Sequence, residues 1–528
     1  MMRPMPPRSR AHHASRSRVP FLLVVAGLVV VLGGLFAWRL DLFARDGGPG
    51  AVASEGKEPS PTGSPVTSPS PSAAPSSSPS PTPTPGPINT SFAGMTTFRG
   101  NATRSWYGEG PVPEDPRIAW RYPEAGSLCS ESSDQDGVRL WCGTGWTGQP
   151  NVIVGDDGGI EVRINAYDGA YHFIDGLTGE PVRPKLQTGD LAKGSASSDP
   201  DGYPLYYAGS RDNFLRVIAL DRAEPTVLWS LNASTSVPNP VWNNDWDGAP
   251  LVIDDHLIEG GENSWLYVIR LNRDYDRNGK VIVDPEVVLT VPGFDDQLFA
   301  DIPDSNVSIE SSVAFHEGVV YFANSGGLVQ GWDISRVLEG GKRAKRVFRF
   351  WTGEDTDATV VIDEEGALYV ASELERFSSR AQEVGQLMKL DPSRPDDPLV
   401  WSFAITERGG EGAGGAWATP AIYGDMVYIA TNYGDLIGIE RASGRERWRI
   451  HLAGPTWSSP VPIDDVLLQG DCGGTLHAFD ISNPRREPPQ LWTLSLGSCI
   501  ESTPSVLEGM IWVGTRGGGI YGIADRER

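Results

Sequence analysis

The segment Met426-Val-Tyr-Ile-Ala-Thr-Asn-Tyr-Gly-Asp-Leu-Ile-Gly-Ile-Glu-Arg-Ala-Ser-Gly-Arg-Glu-Arg-Trp448 runs apolar strand, Gly turn, apolar strand, Ser-Gly turn, Trp strand, and this pattern returns along most of the chain. Third strands of the same kind stand at Tyr171-His-Phe-Ile-Asp175, Arg216-Val-Ile-Ala-Leu-Asp221 and Leu476-His-Ala-Phe-Asp480. Closing strands stand at Thr226-Val-Leu-Trp229, Pro398-Leu-Val-Trp401 and Pro489-Gln-Leu-Trp492. One such unit has too little apolar surface to bury alone, so repetition at this period predicts units stacked around an axis, a β-propeller.

Inner strands are announced by Ala418-Thr-Pro420, Ser458-Ser-Pro460 and Ser502-Thr-Pro504, and more loosely by Gly248-Ala-Pro250 and Ser311-Ser-Val313. With further starts near Gly148, Ser195 and Thr356 the count is eight. The last unit ends at Arg528 after its third strand, while Pro116-Arg-Ile-Ala-Trp-Arg-Tyr122 has the closing pattern with no unit before it. Pairing that strand onto the last unit leaves no open sheet edge. The expectation is an all-β chain, an eight-bladed β-propeller whose N-terminal strand closes the last blade.

The Trp strand with its Asp-x-x-Thr-Gly-like turn, as in Asp175-Gly-Leu-Thr-Gly179, resembles the PQQ-like propellers. These include the quinoprotein alcohol dehydrogenases and the propeller lipoprotein of the outer-membrane barrel-assembly machinery. The resemblance spans roughly residues 96 to 528 and implies a fold, since one propeller hosts unrelated chemistries. In the dehydrogenases it implies a quinone clamped between a Trp and a disulfide of adjacent cysteines, with Ca²⁺ on Glu, Asn and Asp. This chain has no adjacent cysteine pair.

Three segments precede the propeller, which is assigned to residues 92–528. Residues 1–18 are a basic tail, and residues 19–40 hold an uncharged apolar run from Phe21 to Trp38, long enough to cross a bilayer once. Arginines on its N-terminal side place that end in the cytoplasm. Residues 41–91 are rich in Pro, Ser and Thr and have nothing to bury, so they read as a disordered stalk. The propeller is thereby expected outside the cytoplasm.

Charge agrees with export. The net charge is −24, and residues 1–45 carry seven Arg against one Asp, so the remainder stands at −30. Such a surface repels nucleic acid and anionic lipid. The even cysteine count, Cys129, Cys142, Cys472 and Cys499, suits disulfides in an oxidising compartment. Placement in the repeat favours the pairs Cys129–Cys142 and Cys472–Cys499.

Several apparent signatures dissolve in repeat register. Gly410-Glu-Gly-Ala-Gly-Gly415 matches a dinucleotide fingerprint but leads into a strand, so no helix N-terminus holds a pyrophosphate. Gly470-Asp-Cys-Gly-Gly474 looks like a nucleophile elbow but occupies a hairpin position between second and third strands. His172 and His477 share one place in the repeat, which points to packing. Asp274, Asp276 and Asn278 alternate before Gly279 as hard oxygen ligands around Ca²⁺ do, although Pro285 stands where an EF-hand has Glu. Asn278-Gly279 is equally a hairpin turn.

What remains is a constellation at one mouth of the axial funnel. Inner-strand starts bring Asp245, Asp247, Glu310, Asp355, Asp357, Trp417, Trp457 and Glu501, and second-strand ends add Arg211, Asn263, Asn324, Asn432, Asp471 and Arg516. Acids and indoles converging there suit a cation, a sugar or a peptide. The function expected is a membrane-anchored extracytoplasmic binding or scaffold module. It would lack a cofactor, and its partners would be an envelope protein or cell-wall component. The alternative is a PQQ- and Ca²⁺-dependent quinoprotein dehydrogenase.

Overall fold

The computed structural model describes residues 94–526 except 135–136, 146–147, 156 and 406–413. The basic tail, the apolar run and the stalk lie outside the described residues. Among those that are described, no helix is long and apolar enough to cross a membrane.

Eight antiparallel sheets form the ring. Their innermost strands are Asn151–Val154, Ser197–Ser198, Leu251–Ile253, Ala314–His316, Val361–Ile362, Ala421–Tyr423, Val461–Ile463 and Ser505–Leu507. Each begins a few residues after the start read from sequence, because the Ser/Thr-Pro element is the entry loop and pairing begins beyond it. The final blade is Ser505–Leu507, Met510–Gly514 and Ile520–Asp525, and it is closed by Pro116–Tyr122 in antiparallel register from Pro116↔Asp525 to Tyr122↔Ile520. The shared-blade expectation holds.

The repeated Trp has a physical task. Trp120 donates its indole N–H to the Gly176 carbonyl at 2.9 Å, Trp401 to Arg441 at 2.9 Å and Trp448 to Pro484 at 3.2 Å, in each case across to the turn of the following blade. A side chain at Gly179 would collide with the Trp120 ring and one at Gly444 with Trp401, which is why the turn ends in glycine. A bulge in the pairing of third and fourth strands recurs at Val217/Ile218, Val268/Ile269 and Gly438/Ile439, adding twist to the outer strand. Apolar side chains interleave between neighbouring blades, as Ile258, Val268, Val313 and Phe322 do between the third and fourth.

One element has no counterpart in the expectation. Residues 94–110 form a strap threaded across the inner strands, on which β1 (Gly94–Met95) pairs with Val152 and Ile153 of blade 1. Thr96 O accepts from Ser198 N of blade 2, and Arg104 donates to the carbonyls of Ala249 at 3.0 Å and Val313 at 2.7 Å, in blades 3 and 4. Thr103 O accepts from Ile362 N of blade 5, Arg99 donates to Thr419 O of blade 6, and Glu109 N donates to Val506 O of blade 8. Gly108 and Gly110 lie against Ile463 and Asp464 of blade 7. Both arginines are fully buried: Arg104 spends its donors largely on carbonyls, while Arg99 gives one to Thr419 O and lies over the Tyr107 ring at 4.8 Å.

A second insertion is a hairpin of β2-to-blade-1 connection, β3 (Cys129–Asp134) and β4 (Gly137–Cys142), given that β2 is Pro116–Tyr122. The Cys129–Cys142 disulfide staples its base, and Cys472 pairs with Cys499, as the repeat placement suggested.

Candidate functional site

The funnel opens as a cavity of about 850 Å³ whose walls carry Arg211, Asp245, Glu310, Asp355, Asp357 and Trp417. Sequence reasoning assigned all of these to the mouth. Lys193, Glu262, Glu373, Asn243 and Trp242 also line it and were missed. Two groups of three carboxylates dominate, Asp245/Asp247/Glu262 and Asp355/Asp357/Glu373, and within each group one oxygen per residue lies within 4.8 Å of the others.

Both groups arise from the same blade geometry. Two acids at alternate positions precede an inner strand, and a third ends or follows the neighbouring second strand. In the first group that third acid is Glu262, after His256–Gly261; in the second it is Glu373, after Leu368–Ala371. Glu373 is fixed further by pairing with Gly415 of the adjacent blade. Gly415 sits at φ +75°, and a Cβ there would lie 2.5 Å from the Glu373 carbonyl carbon, so only glycine permits the approach.

The first group contains its own counter-ions. The Lys193 ammonium is 2.9 Å from Glu262 Oε1 and 3.7 Å from Asp245 Oδ2 and also pairs with Asp247. Arg211 Nε donates to Asp245 Oδ2 at 2.7 Å, and Asn243 donates to Glu262 Oε2 at 2.8 Å. Burial pushes Asp245 up to about 7 and Asp247 well above the usual carboxylate range, against the pull of Lys193. Burial also acts upward on Glu262, but Lys193 and the donated hydrogen bonds outweigh it and hold Glu262 below its ordinary value. Lys193 loses hydration, yet Asp247, Glu262 and Asp245 together keep it firmly protonated.

The second group is differently served. Ser325 donates to Asp357 Oδ1 at 2.9 Å and Ser308 to Glu310 Oε1 at 2.8 Å. Arg376 approaches Asp355 only to 3.9 Å and is committed to Asp304 at 3.0 Å and to the Ser325 carbonyl at 2.7 Å. Asp355 Oδ1 and Glu373 Oε2 are buried with no donor. Burial first, and then the neighbouring carboxylates, push Asp355, Asp357, Glu373 and Glu310 well above their ordinary values. These oxygens are hard donors of the kind that hold a divalent cation.

The other expected residues have local tasks. The Trp417 and Trp457 rings lie 4.9 Å apart, tilted by 34°. Glu501 pairs with Arg516 at 3.2 Å, and Arg516 lies 5.2 Å from the Trp141 ring of the stapled hairpin, which Arg211 approaches to 5.5 Å. Asn263 donates to Ala233 O and to the Tyr267 hydroxyl, Asn324 to Gly293 O, and Asn432 to Gly414 O, so all three amides brace loops. Asp471 accepts from Thr475 N at 3.0 Å and from His477 Nε2 at 2.9 Å, while His172 Nε2 bonds Asp168 at 2.9 Å. The shared histidine position is therefore a packing feature with an aspartate partner. Asp276 Oδ1 accepts from Asn278 N at 2.8 Å and Lys280 N at 2.9 Å, closing a hairpin between Asp274–Tyr275 and Val281–Ile282.

Among known proteins, the family model described as "Outer membrane protein assembly factor BamB" matches residues 385–524. No curated protein matches the chain. Similar solved structures include the quinohemoprotein alcohol dehydrogenase of Comamonas testosteroni, at 12% identity and a TM-score of 0.53, covering 83% of this chain and 82% of that one. A europium-containing methanol dehydrogenase is 13% identical at a TM-score of 0.54, covering 82% and 98%. BamB from Moraxella catarrhalis is 15% identical at a TM-score of 0.49, covering 75% and 99%. At such identities the likeness is one of fold.

Proposed function

We propose that this PQQ-like β-propeller is a binding or scaffold module of the cell envelope, tethered through residues 19–40, spaced by residues 41–91, and using the funnel mouth as its binding face. The observation that carries the reading is the surplus of buried acids in the funnel: among the described residues, Glu310, Asp355, Asp357 and Glu373 have Arg376 at 3.9 Å from Asp355, and the field of Lys193, itself paired with the first group, reaches Glu310. A cavity so built is poor for an anion and good for a cation. The family model over residues 385–524 supports a place among envelope assembly proteins.

The dehydrogenase reading fits the lining less well. PQQ is itself a polycarboxylate, and the cavity's Lys193 and Arg211 are already paired with Asp245, Asp247 and Glu262. Among the described residues no cysteine lines the cavity, so the disulfide platform implied by the resemblance has no counterpart there. Photo-crosslinking from Trp242 on the cavity wall, in the native envelope, should capture a discrete envelope component. Purified protein given PQQ and Ca²⁺ should reduce no artificial acceptor with alcohols or aldose sugars. PQQ-dependent dye reduction that disappears in Glu310→Gln would overturn the reading.

A further inference from the structure

Lys193 shows what the oxygen spacing in these groups accommodates. Each group brings three carboxylate oxygens within 4.8 Å, and in one of them an ammonium sits among all three acids. The other group has the same spacing and no lysine. Its residues are deeply buried, Asp355 to 8% and Glu373 to 2% exposure, and each has an oxygen that meets no donor. A buried acceptor left unmade costs about 1–3 kcal/mol, more when charged, so a cation arriving there recovers a cost already present in the fold.

Two further features select an organic cation on a polypeptide. Trp417, whose indole lies beside Glu373, and Trp242 face the same cavity. Indoles pack against the methylene stem of a long basic side chain and attract its charged head, whereas a hydrated metal ion uses neither. Over the same mouth stands the stapled hairpin: Ser133 lines the cavity, Trp141 packs near Arg211 and Arg516, and Val138 and Leu140 are 69% and 66% exposed. Cross-strand pairing of Glu131 with Leu140 and Ser133 with Val138 sets both apolar side chains on one face of that hairpin. A free amine has no use for such a pair; a peptide does.

We infer that Asp355, Asp357 and Glu373 receive a lysine or arginine side chain from a partner polypeptide, which docks an adjacent apolar residue on Val138 and Leu140. The inference rests on the binding-module reading and names its ligand chemistry. Burial favours the protonated form of this group, so an incoming cation is expected to release protons, and the binding heat then depends on the ionisation enthalpy of the buffer.

The test is calorimetry on the full-length protein with three probes: capped Leu-Lys-Leu peptide, Nα-acetyl-lysine amide, and calcium chloride. The peptide is expected to bind with proton release, and Asp355→Asn with Glu373→Gln is expected to weaken it by about tenfold or more, as for removal of a buried charge partner. Val138→Ser with Leu140→Ser is expected to weaken the peptide but leave the lysine amide unchanged. Both acid substitutions relieve repulsion, and Glu373→Gln alone, checked by thermal melting, guards against misfolding of the double variant. Peptide affinity unchanged by the acid substitutions overturns the inference, and so does calcium binding that those substitutions abolish and the peptide cannot displace. An envelope partner captured equally by wild type and the acid variants also overturns it while sparing the module reading, which PQQ-dependent dye reduction alone would remove.

Discussion

Asp245/Asp247/Glu262 and Asp355/Asp357/Glu373 are built alike, on neighbouring parts of one funnel, from the same pairing of an inner-strand start with a second-strand end. They differ in neutralisation. The first group has Lys193 and Arg211 in direct contact, so its charges nearly balance and its hydrogen bonds are largely made. The second, with Glu310 beside it, has one arginine at arm's length and oxygens with no donor. A satisfied buried network makes a fold specific, whereas an unsatisfied one costs stability and persists where it has a use outside the fold.

The sharpest way to break this comparison is to remove the lysine. Lys193→Met leaves three buried acids with only Arg211 and should destabilise by about 3–5 kcal/mol in chemical denaturation. The opposite sign is expected on the other side: Asp357→Asn should stabilise by about 1–2 kcal/mol, since a neutral amide replaces a crowded carboxylate. If both substitutions destabilise alike, the two groups are equivalent and the contrast fails.

The pH dependence sharpens it further. Asp245, Asp247, Glu310, Asp355, Asp357 and Glu373 all hold protons in the folded state that the unfolded chain releases near pH 4. Folded pKa values above the unfolded ones mean stability present at low pH and lost as pH rises. For Asp245 the loss runs from about 4 to about 7. For the second group the sign is the same. Melting curves from pH 4 to 8 should fall, less steeply in Asp357→Asn. Carboxylates held low, such as Asp168 at about 2, act only below pH 4 and do not mask this slope. The smallest effect belongs to Arg376→Gln, within about 1 kcal/mol, because its contact with Asp355 is long and its main ion pair is with Asp304, which is 41% exposed. A loss as large as that of Lys193→Met would show that Arg376 is the missing counter-ion.

The blades were legible because their signals are local. A Ser/Thr-Pro entry, a Gly turn and a Trp strand lie within one repeat, and the closing strand revealed itself by repeating that pattern out of place. The inner-strand acids were legible for the same reason. Glu262 was hidden beside Asn263, the residue the repeat register places at the second-strand end, and Glu373 is set in place by a two-residue pairing with Gly414–Gly415 of another blade. Lys193, one of seven lysines in the chain, lies in a connection with no strand period, so only the ring brings it to Glu262. The strap was hidden for a further reason: the carbonyls that Arg99 and Arg104 meet, at Thr419, Val313 and Ala249, belong to blades far from them in sequence.

The strap and closing strand place residues 94–122 against partners as far away as residue 525. Contacts of such separation form late, after most of the loop-closure entropy has been met. A chain emerging from synthesis therefore carries its own lock at the front and the last leaf of the ring at the back. Any product cut short before its final strands keeps an exposed edge and an unseated strap, so the architecture reports on its own completeness.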